Sequence, residues 1–274
     1  MVRFLGTLTL LGAALVGVAQ PAQAASGPWS AVEAGGFHTC AINTAKSLYC
    51  WGRNSRGQLG DGSTSQHSAP AKVGGSGVWA DVAAGDSHTC AISTGKSLYC
   101  WGDNGTGKLG DGTDTDRPSP RKIGSSGVWA SASAGGGHTC AVSMGQSLYC
   151  WGYNGSGQLG DGTDDERPSP KKIGASGAWA GSSAGHAHTC AISTGNSLYC
   201  WGDNFWGQLG DGTTETRKSP RRIGSTGVWA GVAPGERHTC AISTGNSLYC
   251  WGDNGSGQIG NGDFIGLLPP TKVP

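Results

Sequence analysis

The sequence predicts an all-β propeller built from five 50-residue repeats. Three observations carry this. The stretch Cys40 to Gly52 returns without insertion or deletion as Cys90 to Gly102, Cys140 to Gly152, Cys190 to Gly202 and Cys240 to Gly252. Each unit holds four short strand-like runs. No amphipathic helical pattern follows the first 24 residues. The units run approximately over residues 29–78, 79–128, 129–178, 179–228 and 229–274, within one domain spanning 25–274.

The second unit shows why each strand is expected. Trp79 to Val82 alternates like a half-buried strand. Ala84 to Ser87 reads as a turn, followed by a second strand, His88 to Ser93, and a third, Ser97 to Trp101. Thr94, Gly95 and Lys96 join these two as a hairpin loop. After a long glycine-rich loop from Gly110 to Pro118, Pro120 to Ile123 suits a short edge strand, where proline is tolerated. One such unit is too small to bury its own apolar surface. Trp79 and Trp101 each offer ~150–250 Å² for burial, so the driving force lies between units.

Residues 1–24 read as a secretory signal peptide: Arg3, an apolar run from Phe4 to Ala19, and the small-x-small site Ala22-Gln23-Ala24. The run is short and glycine-containing for a membrane span. No cysteine follows the site, which argues against a lipid-modified lipoprotein. The expected location is outside the cytoplasm: secreted, periplasmic or at the cell surface. Without Arg3, the chain's 19 basic residues become equal in number to its 18 acidic ones. That balance argues against a nucleic-acid partner, which demands a net basic face. No membrane contact is expected after cleavage.

Ten cysteines fall two per unit, ten positions apart. Behind an export signal this pattern reads as disulfides rather than zinc. If Cys90 faces Cys100, then Ala91 faces Tyr99 and Ile92 faces Leu98, which requires an odd-length loop or a bulge. The expected bridges are Cys40–Cys50, Cys90–Cys100, Cys140–Cys150, Cys190–Cys200 and Cys240–Cys250.

Gly185-x-x-His188-Thr189, Leu198-Tyr199-x-Trp201-Gly202-x-Asn204 and Gly207-Gln208-Leu209-Gly210-Asp211-Gly212-Thr213 together resemble the regulator of chromosome condensation repeat, over essentially the whole chain after residue 24. The resemblance implies a β-propeller with one blade-equivalent per repeat. Family propellers usually have seven blades; this chain has five units, and its paired cysteines lie outside the basic family pattern. A closed five-bladed ring is the first expectation, with Trp29 to Ala34 meeting Pro270 to Val273. An open array that assembles with another chain is the alternative.

His38, His88, His138, His188 and His238 form a fivefold set. They are expected to be structural, each tying its own blade's turn to backbone as the resemblance implies, rather than meeting as a metal or anion site. No cofactor or metal is expected. The Gly110-Asp111-Gly112-Thr113 loop and its copies lack the ligand spacing of an EF-hand, so Asp111 is read as capping backbone amides. Asn104, Asn154 and Asn254 begin glycosylation sequons. No unique catalytic constellation occurs, and the chain is read as a non-enzyme.

Departures from the repeat point to binding. Phe205 and Trp206 stand where units two, three and five carry Gly-Thr or Gly-Ser. The long loop varies in charge, with Arg117, Arg167 and Arg217 at its end. These residues are the candidate partner-binding set on a loop rim. The expected function is a secreted protein-binding scaffold, with the inhibitor-like role that the family's secreted relatives imply as one form of it. A carbohydrate-binding propeller is the alternative. Nucleotide exchange on a small GTPase, implied by the family's best-known intracellular member, and a hydrolase built between blades rank lower.

Overall fold

Alternating apolar residues and closely spaced turns give five antiparallel four-stranded sheets in the computed structural model. It describes residues 27–74, 77–124, 127–174, 178–224 and 228–274. The first sheet holds β1 (Trp29–Ala34), β2 (His38–Asn43), β3 (Leu48–Gly52) and β4 (His67–Lys72). The second holds β5 (Trp79–Ala84), β6 (His88–Ser93), β7 (Leu98–Gly102) and β8 (Arg117–Lys122). β9 (Trp129–Ala134), β10 (His138–Ser143), β11 (Leu148–Gly152) and β12 (Arg167–Lys172) make the third. β13 (Trp179–Ala184), β14 (His188–Ser193), β15 (Leu198–Gly202) and β16 (Arg217–Arg222) make the fourth. β17 (Trp229–Pro234), β18 (His238–Ser243), β19 (Leu248–Gly252) and β20 (Leu267–Lys272) complete the fifth. Each sheet is ordered as its sequence and is one propeller blade. The signal-peptide reading lies outside the described residues.

Within each blade the register is the one the cysteine spacing demands. Cys90 faces Cys100, Ala91 faces Tyr99 and Ile92 faces Leu98. The hairpin between them closes through Lys96 N–H on the Ser93 carbonyl and Ser93 N–H on the Ser97 carbonyl, with Lys96 left-handed at φ 62°. This is the odd-length loop that keeps the sulfurs opposed. All five bridges form as expected, each across Cα atoms 4.1 Å apart. The outer strand differs from expectation. It begins at Arg117 rather than Pro120, because Gly102 pairs with Arg117 across a bulge.

The core lies between blades. Ile92, Leu98, Leu109 and Ile123 of the second blade pack against Trp129, Ala141 and Trp151 of the third. The same cluster recurs between the first and second, third and fourth, and fourth and fifth blades. Close packing is enforced by glycine. Gly110 has φ +80°, and a Cβ there would come within 2.5 Å of the Trp151 indole nitrogen of the next blade.

The expected pairing of the first strand with the last is not found. β1 pairs with β2 and β20 with β19, each inside its own sheet. The packing of β2 on β5 recurs for β6 on β9, β10 on β13 and β14 on β17, but β18 makes no such packing with the first blade. The physical reason is that each 50-residue unit supplies all four strands of its blade, so no strand is left over to complete a neighbour. The five blades form an open array.

Replacing Gly110 with Ala is expected to destabilise the protein by about 2–5 kcal/mol, from left-handed strain plus overpacking against Trp151. Replacing Cys140 and Cys150 together with Ala should cost about 2–5 kcal/mol. Denaturant unfolding of the two variants against the parent measures both.

Candidate functional site

The turns entering β2, β6, β10, β14 and β18, and the long loops after β3, β7, β11, β15 and β19, lie side by side on one face. Backbone bonds join them: Arg53 N–H donates to the Phe37 carbonyl and Asp103 N–H to the Ser87 carbonyl, each at 2.9 Å. One asparagine per blade builds each long loop. Asn104 Oδ1 accepts from Leu109 N–H at 2.9 Å, while its Nδ2 donates to the carbonyls of Thr113 and Thr115 at 2.9 and 3.1 Å. Asp111 then caps the loop, accepting from Thr113 N–H at 3.0 Å and from Arg117 Nε at 2.8 Å. Burial alone would raise the Asp111 carboxyl, but Thr113 and Arg117 hold it below its usual range.

Arg167 and Arg217 grip Asp161 and Asp211 in the same way, each Nε at 2.8 Å. All three candidate arginines are thus committed to their own loop, with about a third of each side chain left exposed. In the first blade His67 replaces the arginine, 2.6 Å from Asp61. Neighbouring loops are also tied, Lys218 to Asp164 at 2.7 Å and Arg56 to Asp116 at 3.3 Å. The face is therefore a stiff frame with variable tips.

The sequon asparagines carry this frame. Asn104, Asn154 and Asn254 are fully buried, with Nδ2 donating to loop carbonyls. None can receive a glycan in the folded state.

Phe205 and Trp206 stand on this frame, 71% and 40% exposed, with rings edge to face at 5.2 Å. The Arg237 guanidinium lies 5.3 Å above the Trp206 ring. Sequence reasoning passed over their companions on the same face. Phe37, Tyr153 and Phe264 are also exposed there, and Arg53 sits over Phe37. The available signal was the break in the repeat. Positions 37, 87, 137, 187 and 237 hold five different residues, and Tyr153 stands where other units carry Asp or Arg.

On the axis, the inner strands of all five blades line a channel of about 750 Å³. Glu33 and Asp81 face it. Burial raises both carboxyls, and Glu33 is raised further by Asp81. At the channel mouth His186 Nε2 lies 3.5 Å from Asp86 Oδ2, linking the turns of blades two and four. Among the described residues no group of three or more His, Cys, Asp or Glu side chains has metal-binding geometry, and no helix is long and apolar enough to cross a membrane.

The histidine set does not do what was expected of it. Each of the first four reaches the next blade rather than its own turn. His38 Nε2 lies 2.7 Å from Thr89 Oγ1, and Thr89 in turn donates to the Gln58 carbonyl at 2.8 Å. The threonine has one proton and gives it to the carbonyl, so the histidine donates through Nε2–H. Trp101 Nε1 donates to the same Gln58 carbonyl at 3.0 Å. His88, His138 and His188 repeat the contact with Thr139, Thr189 and Thr239 at 2.7–2.8 Å. Their partners lie 51 residues away, which a reading confined to one unit cannot reach.

Burial depresses these histidines: His38 to about 4, His138 and His188 to about 3, and His88 well below its ordinary value. The unfolded chain takes up protons below about pH 6.5, while the folded one resists. This contribution to stability is therefore full above pH 6.5 and is lost as pH falls towards 4 and below, by up to about 1.4 kcal/mol per pH unit for each histidine. Thermal melts of the parent between pH 7 and 4 should show a falling midpoint. His138→Gln should be less stable at pH 7 but lose less on acidification.

Comparison with curated protein sequences gives no match. Among solved structures, human WBSCR16 is 26% identical, with a TM-score of 0.74 over 80% of this chain and 58% of that one. Yeast RCC1 (Prp20), solved bound to Kap60, is 18% identical, with a TM-score of 0.60 over 90% and 75% of the two chains. The CRINKLY WD40 ectodomain of the Arabidopsis thaliana receptor kinase ACR4 is 21% identical, with a TM-score of 0.53 over 90% and 66%. The chain thus spans well under two thirds of the length of WBSCR16. The pattern of the regulator of chromosome condensation (RCC1) repeat matches residues 47–92, 97–142, 147–192 and 196–242. A second form of it matches 29–58, 79–108, 129–158, 183–208 and 230–258. The chain belongs to the regulator of chromosome condensation repeat family.

Proposed function

We propose that this chain is an exported, non-enzymatic scaffold that binds another protein through its loop face, with Phe205 and Trp206 as the anchor. The observation that carries the reading is where the exposed aromatics sit. Phe37, Tyr153, Phe205, Trp206 and Phe264 all rise from loops of one face, at positions where the repeat is broken. Exposed aromatic clusters backed by arginine are the chemistry of interface hot spots. The frame beneath is already ordered, so a partner meets little ordering cost. Arg117, Arg167 and Arg217 support the loops and offer their outer edges to the same partner.

Five disulfides suit an oxidising compartment, as does the leader-like segment at residues 1–24. The solved relative Prp20 is bound to Kap60 in one structure and has binding properties to Gsp1p and histones, so protein partners are a use to which this fold is put. Export would separate this chain from partners of that kind. An inhibitor-like role fits the stiff loop face.

The test is capture from the extracellular medium with the parent and with the Phe205→Ala/Trp206→Ala double variant as baits. Loss of two anchors worth about 1 kcal/mol each or more should weaken partner retention by at least tenfold. Equal capture by both baits rejects the aromatic anchor. Retention on glycan surfaces in place of proteins would favour the carbohydrate-binding alternative.

A further inference from the structure

The two ends of the array are matching halves of an interface that the chain already makes four times inside itself. At each internal junction, a tryptophan and a β-branched or small residue from the inner strand of one blade enter an isoleucine or valine and leucine pocket of the preceding blade. At the first junction Trp79 and Val82 are 4% and 3% exposed, and the Ile42 and Leu48 that receive them are 1% and 1%. The first blade presents the same entering face with nothing to enter, leaving Trp29 42% and Val32 64% exposed. The fifth blade presents the same pocket unfilled, with Ile242 47% and Leu248 42% exposed.

The polar groups are left over in the same complementary way. Four histidines donate to the threonine of the following blade. Among the described residues, His238 has no following threonine, and Thr39 has no preceding histidine. The inner turns repeat the pattern. The backbone N–H of Gly36, Asp86, Gly136 and His186 each meets the carbonyl of Gly85, Gly135, Gly185 or Gly235 of the next blade, and the series stops there.

We propose that the fifth blade of one copy docks on the first blade of a second copy, head to tail, through this fifth junction. The occupant is specified by the chain's own chemistry, since the face that fits the Ile242 and Leu248 pocket is the one carrying Trp29, Val32 and Thr39. The contact uses two different surfaces and is therefore heterologous, so it propagates unless rotation closes it. The chain's own four steps do not bring its last blade to its first. The anchor pair Phe205 and Trp206 stands on the long loop of the fourth blade, which forms neither end face, so this inference stands apart from the proposed partner site.

Sedimentation of the oxidised full chain over a hundredfold concentration range tests it, together with Val32→Glu at the entering face and Ile242→Glu at the pocket. Both positions are exposed within one copy, so both variants should keep the parent's melting behaviour. Trp29→Ser and Leu248→Lys serve as second choices should either misfold. The parent's average mass should at least double with concentration, while each variant alone should stay at the mass of one chain. An equimolar mixture of the two variants should double in mass, because one retains the pocket and the other the entering face. A parent that remains a single chain throughout overturns the proposal, whether its ends close on each other or meet a foreign protein. Assembly that survives in both single variants also overturns it.

Discussion

One contact holds this molecule together: the seating of a threonine from each following blade against the carbonyl and histidine of the blade before it, joined at three of the four junctions by a tryptophan indole. Gln58 illustrates it. Its carbonyl receives both the Thr89 hydroxyl and the Trp101 indole, while His38 closes the circuit onto Thr89. These groups are buried among apolar side chains, so each one left without a partner across the junction is costly. The geometry of the loop face follows from this seating, because the blades fix where each long loop emerges. The disulfides act at a lower level, holding each hairpin in the register that puts the tryptophan and histidine on the correct side.

Position 108 shows how far this arrangement tolerates change. The other units carry glutamine there, at positions 58, 158, 208 and 258. Lys108 keeps the backbone carbonyl that Thr139 needs at 2.8 Å, while its buried ammonium pairs with Asp103. Charge is admitted into the junction only with its counterion beside it. The carbonyl, not the side chain, is the group the neighbouring blade reads.

Much of the architecture was legible in the residues. A strict period, alternating strands and ten evenly spaced cysteines determined the blade count, the hairpin register and the bridges. Three things were not. The outer strand reaches back to Arg117 past two prolines, because an edge strand needs only some of its N–H groups. The histidine's partner sits in the next repeat, and a period of 50 hides a contact spanning 51. The open ends were hidden for a deeper reason. Every unit carries both faces of the junction, so the sequence of the first and last units looks as complete as that of the middle ones. At the binding face the opposite holds: Phe205, Trp206 and Tyr153 are visible as breaks in the period, whereas Phe37 sits at a position that differs in every unit, so no single residue stands out there.

The burial of Asn104, Asn154 and Asn254 has a consequence for biosynthesis. An oligosaccharyltransferase acting on the emerging chain would compete with loop closure for the same amide nitrogen. A sugar added first to Nδ2 would take away a proton that this nitrogen donates to the loop carbonyls of Thr113, Thr163 or Asp263, and would put a bulky glycan where there is space for none. Production in a glycosylating host would thus divide the population by timing, into molecules that folded before the enzyme arrived and molecules permanently barred from doing so.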